Sequence, residues 1–592
     1  MSAPDLDSQA LEHAETDLGV QTTSDAEFGV EFPSSPRMRR LPWVLLLLPV
    51  LQGFWFVHCY GVNVPWADQW NGMAPLFEKW FAGTLSVGDF WAQHNEHRCF
   101  VALLLMFGLG LLTRWNTVAE MYATQVVLTL MLAIFIGMFL RDCKTRYRLW
   151  LMLPIGFLVF SLRQIENMVW GWQLAFVLVA GEAVAALACL SLLNHPGGRR
   201  LKYLGALLFA TGATFSSAQG LVVWPVGLLP LLLAPFQWTR KALLIAGWTA
   251  AGALAWLLYF HDYVRPYQQP PMAFSFKYFA AILGGSFFHG IYAGMIVGVI
   301  VLLLIAAVVI LLFRKGHWRR HSFWLAVLSY GFLIQLQITL GRSNYGLEQA
   351  LSPRYSTCSL LIIIGIYAIL SNLRGKKLGR VIFGLWAFFL ALATVGLMVC
   401  DVRGYQWGLN AWQNVDYHAF MAYTSDSQPD AVFTLNADVN SPLVRRIISL
   451  LREHRWGLFA SSEPEALYAP PKADLPELSV PAQIKLTNFG PDEQFKGIIY
   501  IAGWAVDAAA KDLVGGVFLD VDGVLYPTYY GWPRDDAFDL LHNRRLRYCG
   551  FMRFFPNTFF SVGHHRAMIK VLTKDRKAFF KPSESVSFDI VE

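Results

Sequence analysis

The stretch RMRRLPWVLLLLPVLQGFWFV, residues 37–57, decides the fold class. Its apolar part, residues 41–57, together with its flanks approaches the roughly 30 Å hydrocarbon thickness of a bilayer. The arginines that precede it should stay on the cytoplasmic side, because positive charge next to a span is retained there. The stretch therefore predicts a first membrane span that leaves the N-terminus inside and the following loop outside.

The composition of the whole chain agrees with this prediction. Of 592 residues, 55% are hydrophobic and only 15% are charged, which is too apolar for a soluble multidomain protein of this length. The formal net charge of +7 could indicate a nucleic-acid partner. However, the Lys and Arg residues form short clusters between apolar runs, where they orient membrane segments. We therefore expect a polytopic α-helical membrane protein and no nucleic-acid partner.

Basic clusters alternate along the chain with linkers that contain few lysines. This alternation requires residues 100–112 to lie along the outer interface rather than to cross the membrane. It predicts about eleven transmembrane helices, with the N-terminus inside and the C-terminus outside. The predicted cytoplasmic clusters are residues 141–148, 197–202, 239–241, 314–321 and 374–380, and the predicted outer linkers are residues 163–173, 216–220, 261–271 and 341–355.

Composition divides the chain into four predicted segments. Residues 1–36 lack apolar periodicity and are rich in Asp, Glu, Ser and Thr, which predicts a disordered cytoplasmic tail. Residues 37–400 form the transmembrane domain, whose first outer loop, residues 58–116, contains interfacial helices. Residues 401–482 form a mixed helical segment and linker in the periplasm. Residues 483–592 form a periplasmic β-sandwich that could bind carbohydrate.

The C-terminal part is predicted to pass from α/β to all-β structure. GIIYIAGWAVD, GGVFLDVDGVLYPTYYG, RAMIKVLTKD and SVSFDIV have β-rich or alternating patterns between Gly, Asp and Pro turns, which predicts an antiparallel sandwich. DVDG, residues 520–523, resembles the opening of a calcium loop, but the other EF-hand ligand positions are absent. A turn between two strands is the favoured interpretation.

The seven cysteines include no CxxC pair and no Cys/His cluster with zinc spacing. Cys59 and Cys99 bracket the first outer loop. They could form a disulfide in an oxidising compartment or remain two unpaired thiols.

Charged and polar residues gather in the predicted outer linkers. Such groups are costly at membrane level and usually face a cavity, a partner or water. Linkers that are distant in sequence can converge in a helical bundle, and these would form a site of acids and arginines at the outer membrane edge. The residues concerned are Asp68, His94, Glu96, His97 and Arg98 in the first linker, Arg163, Glu166 and Asn167 in the second, and Arg342, Glu348 and Arg354 in the last.

This combination of residue types favours transfer of a group from a phospholipid carrier. Guanidinium groups bind phosphate through fixed bidentate hydrogen bonds. A carboxylate beside them can act as a general base toward an attacking hydroxyl. Other interpretations stay open: Asp68 as a helix N-cap, HNEHR as a metal site or an interfacial structure, and the arginines as anchors to lipid headgroups.

The strings WADQW, HNEHR, QIENMVWGWQL and SPRYS resemble those of bacterial multispan proteins of cell-surface polysaccharide synthesis. An acidic residue soon after the first span, interfacial helices in the first loop and a C-terminal outer domain resemble the GT-C superfamily of membrane glycosyltransferases. The resemblance covers roughly residues 41–370. It implies a bacterial inner-membrane enzyme, inverting, that moves a sugar from a polyprenyl-phosphate donor to a glycan or lipid-linked acceptor.

The resemblance also implies roles for single residues. Asp68 would be the catalytic base, with Glu96 as a rival, and no cofactor is expected. Many relatives carry two adjacent acids, whereas Gln69 follows Asp68 here, so a divalent metal stays open. Donor phosphate would be bound by Arg354, Arg342 and Arg98, and the substrate pocket would be lined by His94, Asn95, His97, Trp66, Trp70, Arg163, Glu166, Asn167 and Tyr355.

Two other functions are compatible with the sequence. A flippase or transporter of a lipid-linked saccharide would place charges within several spans and often contains internal repeats. A polysaccharide polymerase or ligase would share the arginine-rich outer loops, but would release polyprenyl pyrophosphate instead of monophosphate.

Overall fold

Helices occupy the chain from Pro36 to His454, and strands make up most of it from Glu477 onward. A computed structural model describes residues 36–145, 147–195, 197–266, 271–288, 290–373, 379–425, 441–462, 467–471, 475–491 and 498–590. The predicted disordered tail lies outside these ranges except for Pro36. Residues Leu46–Glu592 form one unit.

The helical part begins with a long helix, continues through short helices of the first loop, and then contains most of the apolar helices. Its α-helices are α1 (Pro36–Tyr60), α2 (Asp68–Gly72), α3 (Ala74–Phe81), α4 (Val87–Trp91), α5 (Phe100–Thr113), α6 (Thr117–Asp142), α7 (Arg148–Leu151), α8 (Leu153–Val159), α9 (Ile165–Val169), α10 (Leu174–Ser191), α11 (Arg199–Thr214), α12 (Val223–Leu233), α13 (Trp238–Phe260), α14 (Phe276–Gly284), α15 (Ile291–Lys315), α16 (Ser322–Arg342), α17 (Ser356–Asn372), α18 (Gly379–Tyr423) and α19 (Ser441–His454).

Within the described residues, 8 helical runs are long and apolar enough to cross a membrane. This is compatible with the predicted membrane protein, while the predicted number of eleven spans is not confirmed. Two further apolar helices are short, and the 14 residues of α5 extend only about 21 Å, less than the hydrocarbon thickness. The qualifying runs are Arg40–Tyr60, Thr117–Asp142, Arg148–Val169, Gly171–Asn194, Trp238–Phe260, Ile291–Arg314, Ser322–Tyr345 and Pro353–Asn372.

The two groups of linkers gather at opposite ends of α6. At its first residue, the Thr117 amide donates to Asn63 Oδ1 of the first loop at 2.9 Å. At its last residue, Asp142 Oδ2 accepts from Trp324 Nε1 at 2.9 Å and its carbonyl accepts from Arg320 at 2.7 Å. Because α6 has 26 residues, these contacts are about 39 Å apart. Predicted outer linkers and basic clusters thus lie at different ends.

Small residues allow some helices to pack with their backbones in close contact. A Cβ added to Gly298 of α15 would lie 1.8 Å from the Ala280 carbonyl oxygen, and one added to Gly284 of α14 would lie 2.0 Å from that of Gly294. Lipid chains are as apolar as leucine, so such close packing is a main source of helix association in a membrane.

Helix α18 crosses the predicted domain boundary at residue 400 without interruption. Its 45 residues correspond to about 68 Å, roughly twice the thickness of a bilayer core. Near its C-terminal end, Tyr417 and Phe420 pack against Tyr529 and Met552 of the β region. Tyr529 also donates to Asp416 Oδ2 at 3.0 Å. The helix therefore joins the membrane part to the β region directly.

The C-terminal region consists of two sheets with a shared apolar core. One sheet has the order β1-β10-β9-β5-β6 with β11 beside β9, and the other has β2-β3-β8-β7 with β4 beside β3. The sandwich pattern is confirmed, although β1 and β10 pair in parallel. The strands are β1 (Glu477–Pro481), β2 (Gln483–Pro491), β3 (Ile498–Asp507), β4 (Asp512–Leu513), β5 (Gly516–Val521), β6 (Val524–Pro527), β7 (Tyr529–Trp532), β8 (Gly550–Pro556), β9 (Gly563–Leu572), β10 (Phe579–Lys581) and β11 (Ser585–Ile590), with helix α20 (Asp535–Leu541) after β7.

The DVDG motif forms the tight turn between β5 and β6, as predicted. Asp522 and Gly523 both have positive φ, 52° and 89°. Two such residues suit the right-handed twist of the hairpin strands. The Gly523 amide donates to Asp520 Oδ1 at 2.9 Å, which closes the turn.

The short helices of the first loop are held by apolar contacts with α5 and α19. Phe77 of α3 stacks on Phe107 with ring centroids 5.1 Å apart and belongs to the same buried cluster as Ile448 of α19. Cys59 is exposed and Cys99 is buried, and both are free thiols.

Candidate functional site

The HNEHR motif folds into a tight turn that presents two histidines and one acid. The His94 and His97 backbones exchange two hydrogen bonds of 2.9 Å, so only Asn95 and Glu96 lie between them. Asn95 has a positive φ of 51°, a conformation that asparagine tolerates better than most residues. The turn brings the His94 and His97 backbones together and places Glu96 at its tip.

Asp68 faces this turn from the start of α2. The residue before it, Ala67, has a positive φ of 46°, which is strained for a residue with a Cβ. The N-cap position belongs to Ala67 and no side chain caps the helix, so the N-cap interpretation of Asp68 is wrong. Instead, Asp68 Oδ1 lies 3.5 Å from His94 Nε2, and the aspartate side chain is 36% exposed.

Glu96 connects the turn to the end of α16. Its carboxylate accepts a hydrogen bond from the Arg342 guanidinium, 246 residues away in sequence. His97 Nε2 lies 3.6 Å from Glu96 Oε1. On the other side of the imidazole, Nδ1 accepts from the Ala218 amide at 3.2 Å. This contact assigns the proton of a neutral His97 to Nε2, on the side of Glu96.

Three side chains of the second linker hold the loop that carries Arg354. Arg163 donates to the Leu351 carbonyl, Glu166 accepts from Ser352 at 3.2 Å, and Asn167 donates to the Arg354 carbonyl at 3.1 Å. Glu166 and Asn167 belong to α9, and Arg163 belongs to the 3₁₀ turn that directly precedes it. The second linker therefore positions Arg354 through the backbone of its loop.

Arg354 lies close enough to Asp68 for each charge to affect the other. Its guanidinium lies 5.5 Å from the centre of the Tyr355 ring, so Tyr355 stays part of the site. In contrast to Arg342, Arg354 has no carboxylate within ion-pair distance in the described part of the chain. The predicted convergence of three distant linkers is thus present in the structure.

The electrostatics of the turn keep both acids ionised. Burial alone would raise the pKa of Asp68, but the His94 imidazole and the charge of Arg354 outweigh it and lower the pKa. The pKa of Glu96 is likewise lowered, because His97, where it is protonated at acid pH, and the Arg342 guanidinium outweigh its burial. Burial lowers the pKa of His97 despite the opposing effect of Glu96, which keeps its imidazole neutral near pH 7.

Several predicted residues instead support the backbone. Arg98 donates to three carbonyls, those of Tyr259, Trp91 and His261, so its guanidinium is already bound and is not placed for donor phosphate. Arg163 is 1% exposed and donates to carbonyls alone.

Some tryptophans near the site belong to the core, and others contact the HNEHR turn or each other. Trp70 is 8% exposed and belongs to the core. Trp66 and Trp170 contact each other, with ring centroids 5.1 Å apart. Trp172, which the sequence did not single out, contacts the His94 ring at 4.7 Å.

A buried polar contact beneath the site was missed by the sequence. Gln69 donates to Glu120 Oε2 at 2.7 Å, and its Oε1 accepts from the Trp66 amide at 3.1 Å. Gln69 thus fixes the strained entry to α2. Glu120 stands alone in an apolar run, and only the rarity of such residues in spans could have indicated its importance.

Gly171 provides a stability test of this contact. A Cβ on Gly171 would lie 2.2 Å from Glu120 Oε2 and 2.9 Å from Gln69 Nε2. We expect Gly171→Ala to destabilise the protein by about 1–3 kcal/mol, the usual cost of overpacking. Thermal unfolding in detergent measures this effect. Gly137→Ala is the matched control, because nothing lies within 4 Å of the added Cβ, and equal melting temperatures for both variants would contradict the expectation.

No group of three His, Cys, Asp or Glu residues in the described ranges is arranged to hold a metal ion. His94 and His97 face different carboxylates, Asp68 and Glu96. The site contains ionised acids, a neutral imidazole and guanidinium groups. Such a set can bind a phosphate and accept a proton from a hydroxyl.

No family model, no curated protein and no solved structure matches this chain.

Proposed function

We propose that the protein is an inverting membrane glycosyltransferase that transfers a sugar from a polyprenyl-phosphate donor to a glycan or lipid-linked acceptor. The observation that carries the proposal is the meeting of Asp68, Glu96, Arg342 and Arg354 at one end of the helical bundle. The resemblance of the first loop to GT-C enzymes supports the same assignment. We also propose a bacterial inner membrane and an outer-face site, from the distribution of basic clusters.

The contacts favour different roles for the two acids. Glu96 is already engaged by Arg342 and faces His97, so much of its charge is compensated. Asp68 is more exposed than Glu96, with side chains 36% and 21% accessible. Asp68 is therefore the proposed base, which takes the proton from the acceptor hydroxyl as that oxygen bonds to the sugar carbon. The bond from this carbon to the donor phosphate breaks in the same displacement, and polyprenyl phosphate leaves.

The arginines also differ. Arg342 is neutralised by Glu96, whereas Arg354 is held by backbone contacts and lies near Asp68. Arg354 is therefore the proposed ligand of the donor phosphate, with Arg342 maintaining the HNEHR turn. The planar guanidinium of Arg354 can donate hydrogen bonds to two phosphate oxygens and thereby orient the leaving group.

In the β-sandwich, we propose that the stacked rings of Tyr500 and Phe554 contact the acceptor glycan. The rings are half-buried, with centroids 4.5 Å apart, and lie beside the aromatic cluster at the end of α18. Sugar rings pack against aromatic faces of this kind, and the position connects acceptor binding to the membrane part.

Product analysis separates this function from its alternatives. The purified protein would be incubated with a panel of polyprenyl-phosphate and polyprenyl-pyrophosphate sugars and candidate acceptors. Sugar transfer with release of polyprenyl monophosphate supports the proposal. Release of pyrophosphate would instead indicate a polymerase or ligase. Movement of intact lipid-linked sugar across proteoliposomes without any transfer would indicate a flippase.

The pH profile of transfer should depend on His94. Asp68 acts as a base only when ionised, so the rate falls as the pH decreases through its pKa. His94 helps to lower that pKa, and without it the effect of burial would dominate. We expect His94→Ala to move the acid limb of kcat/KM to higher pH. His261→Ala, at a histidine whose side chain is 73% exposed, is the control and should leave the limb in place. An unchanged limb in His94→Ala would contradict this role.

A further inference from the structure

A second feature lies at the opposite end of the bundle, near the basic clusters. A cavity of about 340 Å³ opens between α12, α15 and the start of α16. This volume is at the lower end of the roughly 300–1,000 Å³ typical of small-molecule sites. Its walls are aliphatic and aromatic, and one guanidinium lies among them. The lining residues are Leu229, Leu232, Leu233, Val309, Leu312, Phe313, Trp318, Arg319 and Leu325.

Two cations flank this apolar cleft. Arg319 belongs to its lining and is exposed. Lys241 donates to the carbonyl of Leu232, another lining residue, at 3.0 Å, so its ammonium lies at the edge of the cleft. The segments 229–241 and 309–325 contain six Lys or Arg residues and no Asp or Glu. The positive charge at the edge of the cleft is therefore complementary to an anionic group.

Trp318, a residue type typical of the membrane–water interface, lines the cleft. Its ring lies 5.4 Å from that of Phe313 and it is 37% exposed. Tryptophan is enriched where the hydrocarbon meets the headgroups. An occupant of this cleft thus meets hydrocarbon-like walls first and then a positively charged edge. Basic pockets between helices on the cytoplasmic side are known binding places for anionic lipid headgroups.

We propose that this cleft binds one anionic phospholipid, with an acyl chain against the apolar walls and the phosphate beside Arg319 and Lys241. The site is separate from the proposed catalytic site. Both sites involve α16 but lie toward different ends of it. At the C-terminal end of α16, Arg342 contacts Glu96, whereas near its start Trp324 contacts Asp142. The lipid would hold α12 against α15 from the leaflet opposite the proposed reaction.

Native mass spectrometry of the full chain in mild detergent tests this proposal with phosphatidylglycerol and phosphatidylcholine as probes. The wild-type protein should bind one phosphatidylglycerol more tightly than any phosphatidylcholine. Lys241→Ala combined with Arg319→Ala should weaken that binding about 30-fold, since each basic residue near a membrane surface contributes roughly a factor of five. Val309→Trp, which fills the cleft and leaves every charge in place, should also abolish the tight site.

A second double variant provides the control for net charge. Arg148 and Arg200 are exposed residues of other basic clusters, so their joint replacement by alanine removes the same charge away from the cleft. We expect it to retain tight binding. Equal weakening by the two double variants would show general attraction to anionic lipid and overturn the site. Tight binding that persists in a folded Val309→Trp protein would also overturn it.

Discussion

Asp68→Asn should lower sugar transfer by about 10²–10⁴-fold, the usual contribution of a general base. The amide has nearly the same shape as the carboxylate but cannot accept the proton of the acceptor hydroxyl. Because Asp68 caps no helix, the substitution should leave the fold intact. The measurement is kcat with purified protein and saturating donor, together with thermal unfolding to confirm that the variant is folded.

The control for this prediction is Asp262→Asn. Asp262 also lies in a predicted outer linker and is 85% exposed, and its left-handed backbone conformation, φ 54°, is tolerated by asparagine. It should transfer sugar at the wild-type rate. Full turnover by Asp68→Asn would remove Asp68 as the base, and a large loss in Glu96→Gln alone would then favour Glu96.

Arg354→Lys should raise KM for the lipid-linked donor by about 10–100-fold. Hydrogen bonds to charged groups contribute about 1.5–3 kcal/mol, and lysine cannot reproduce the bidentate geometry of the guanidinium. The positive charge remains in this variant, so a higher KM would result from the lost bidentate geometry more than from a change in net charge. Since Asn167 holds the Arg354 carbonyl, Asn167→Ala should show a smaller loss in the same direction.

Arg265→Lys is the matched control for Arg354→Lys. Arg265 is an exposed arginine of the predicted outer linker at residues 261–271. We expect its KM for donor to equal that of the wild type. If Arg354→Lys also left KM unchanged while Arg342→Lys raised it, the donor phosphate would belong to Arg342.

The sequence predicted which linkers meet, because charge alternation places each linker at one end of the bundle. It could not separate the roles of neighbouring arginines. Arg98 and Arg354 both stand at the edge of an apolar run, yet Arg98 is bound to three carbonyls, whereas Arg354 lies near enough to Asp68 for its charge to lower the pKa of that acid. The distinction depends on partners more than 150 residues away, such as Tyr259, which no local pattern indicates.

The contacts that support the site could not be predicted either, because their partners are also distant in sequence. Gln69 seemed to be a departure from an acidic pair, but its partner Glu120 lies 51 residues away. The expectation that residues 100–112 do not cross the membrane agrees with α5, whose 14 residues are too short to span a bilayer. The strands were easier to predict, because alternation and the DVDG turn are local features.

The most direct test of the central claim is an electron cryo-microscopy structure of the protein with bound polyprenyl phosphate. We expect the phosphate within about 3 Å of the Arg354 guanidinium, the normal hydrogen-bond distance, and on the side that faces Asp68. A phosphate bound elsewhere, with Arg354 and Asp68 both remote from it, would show that these two residues do not form the donor site.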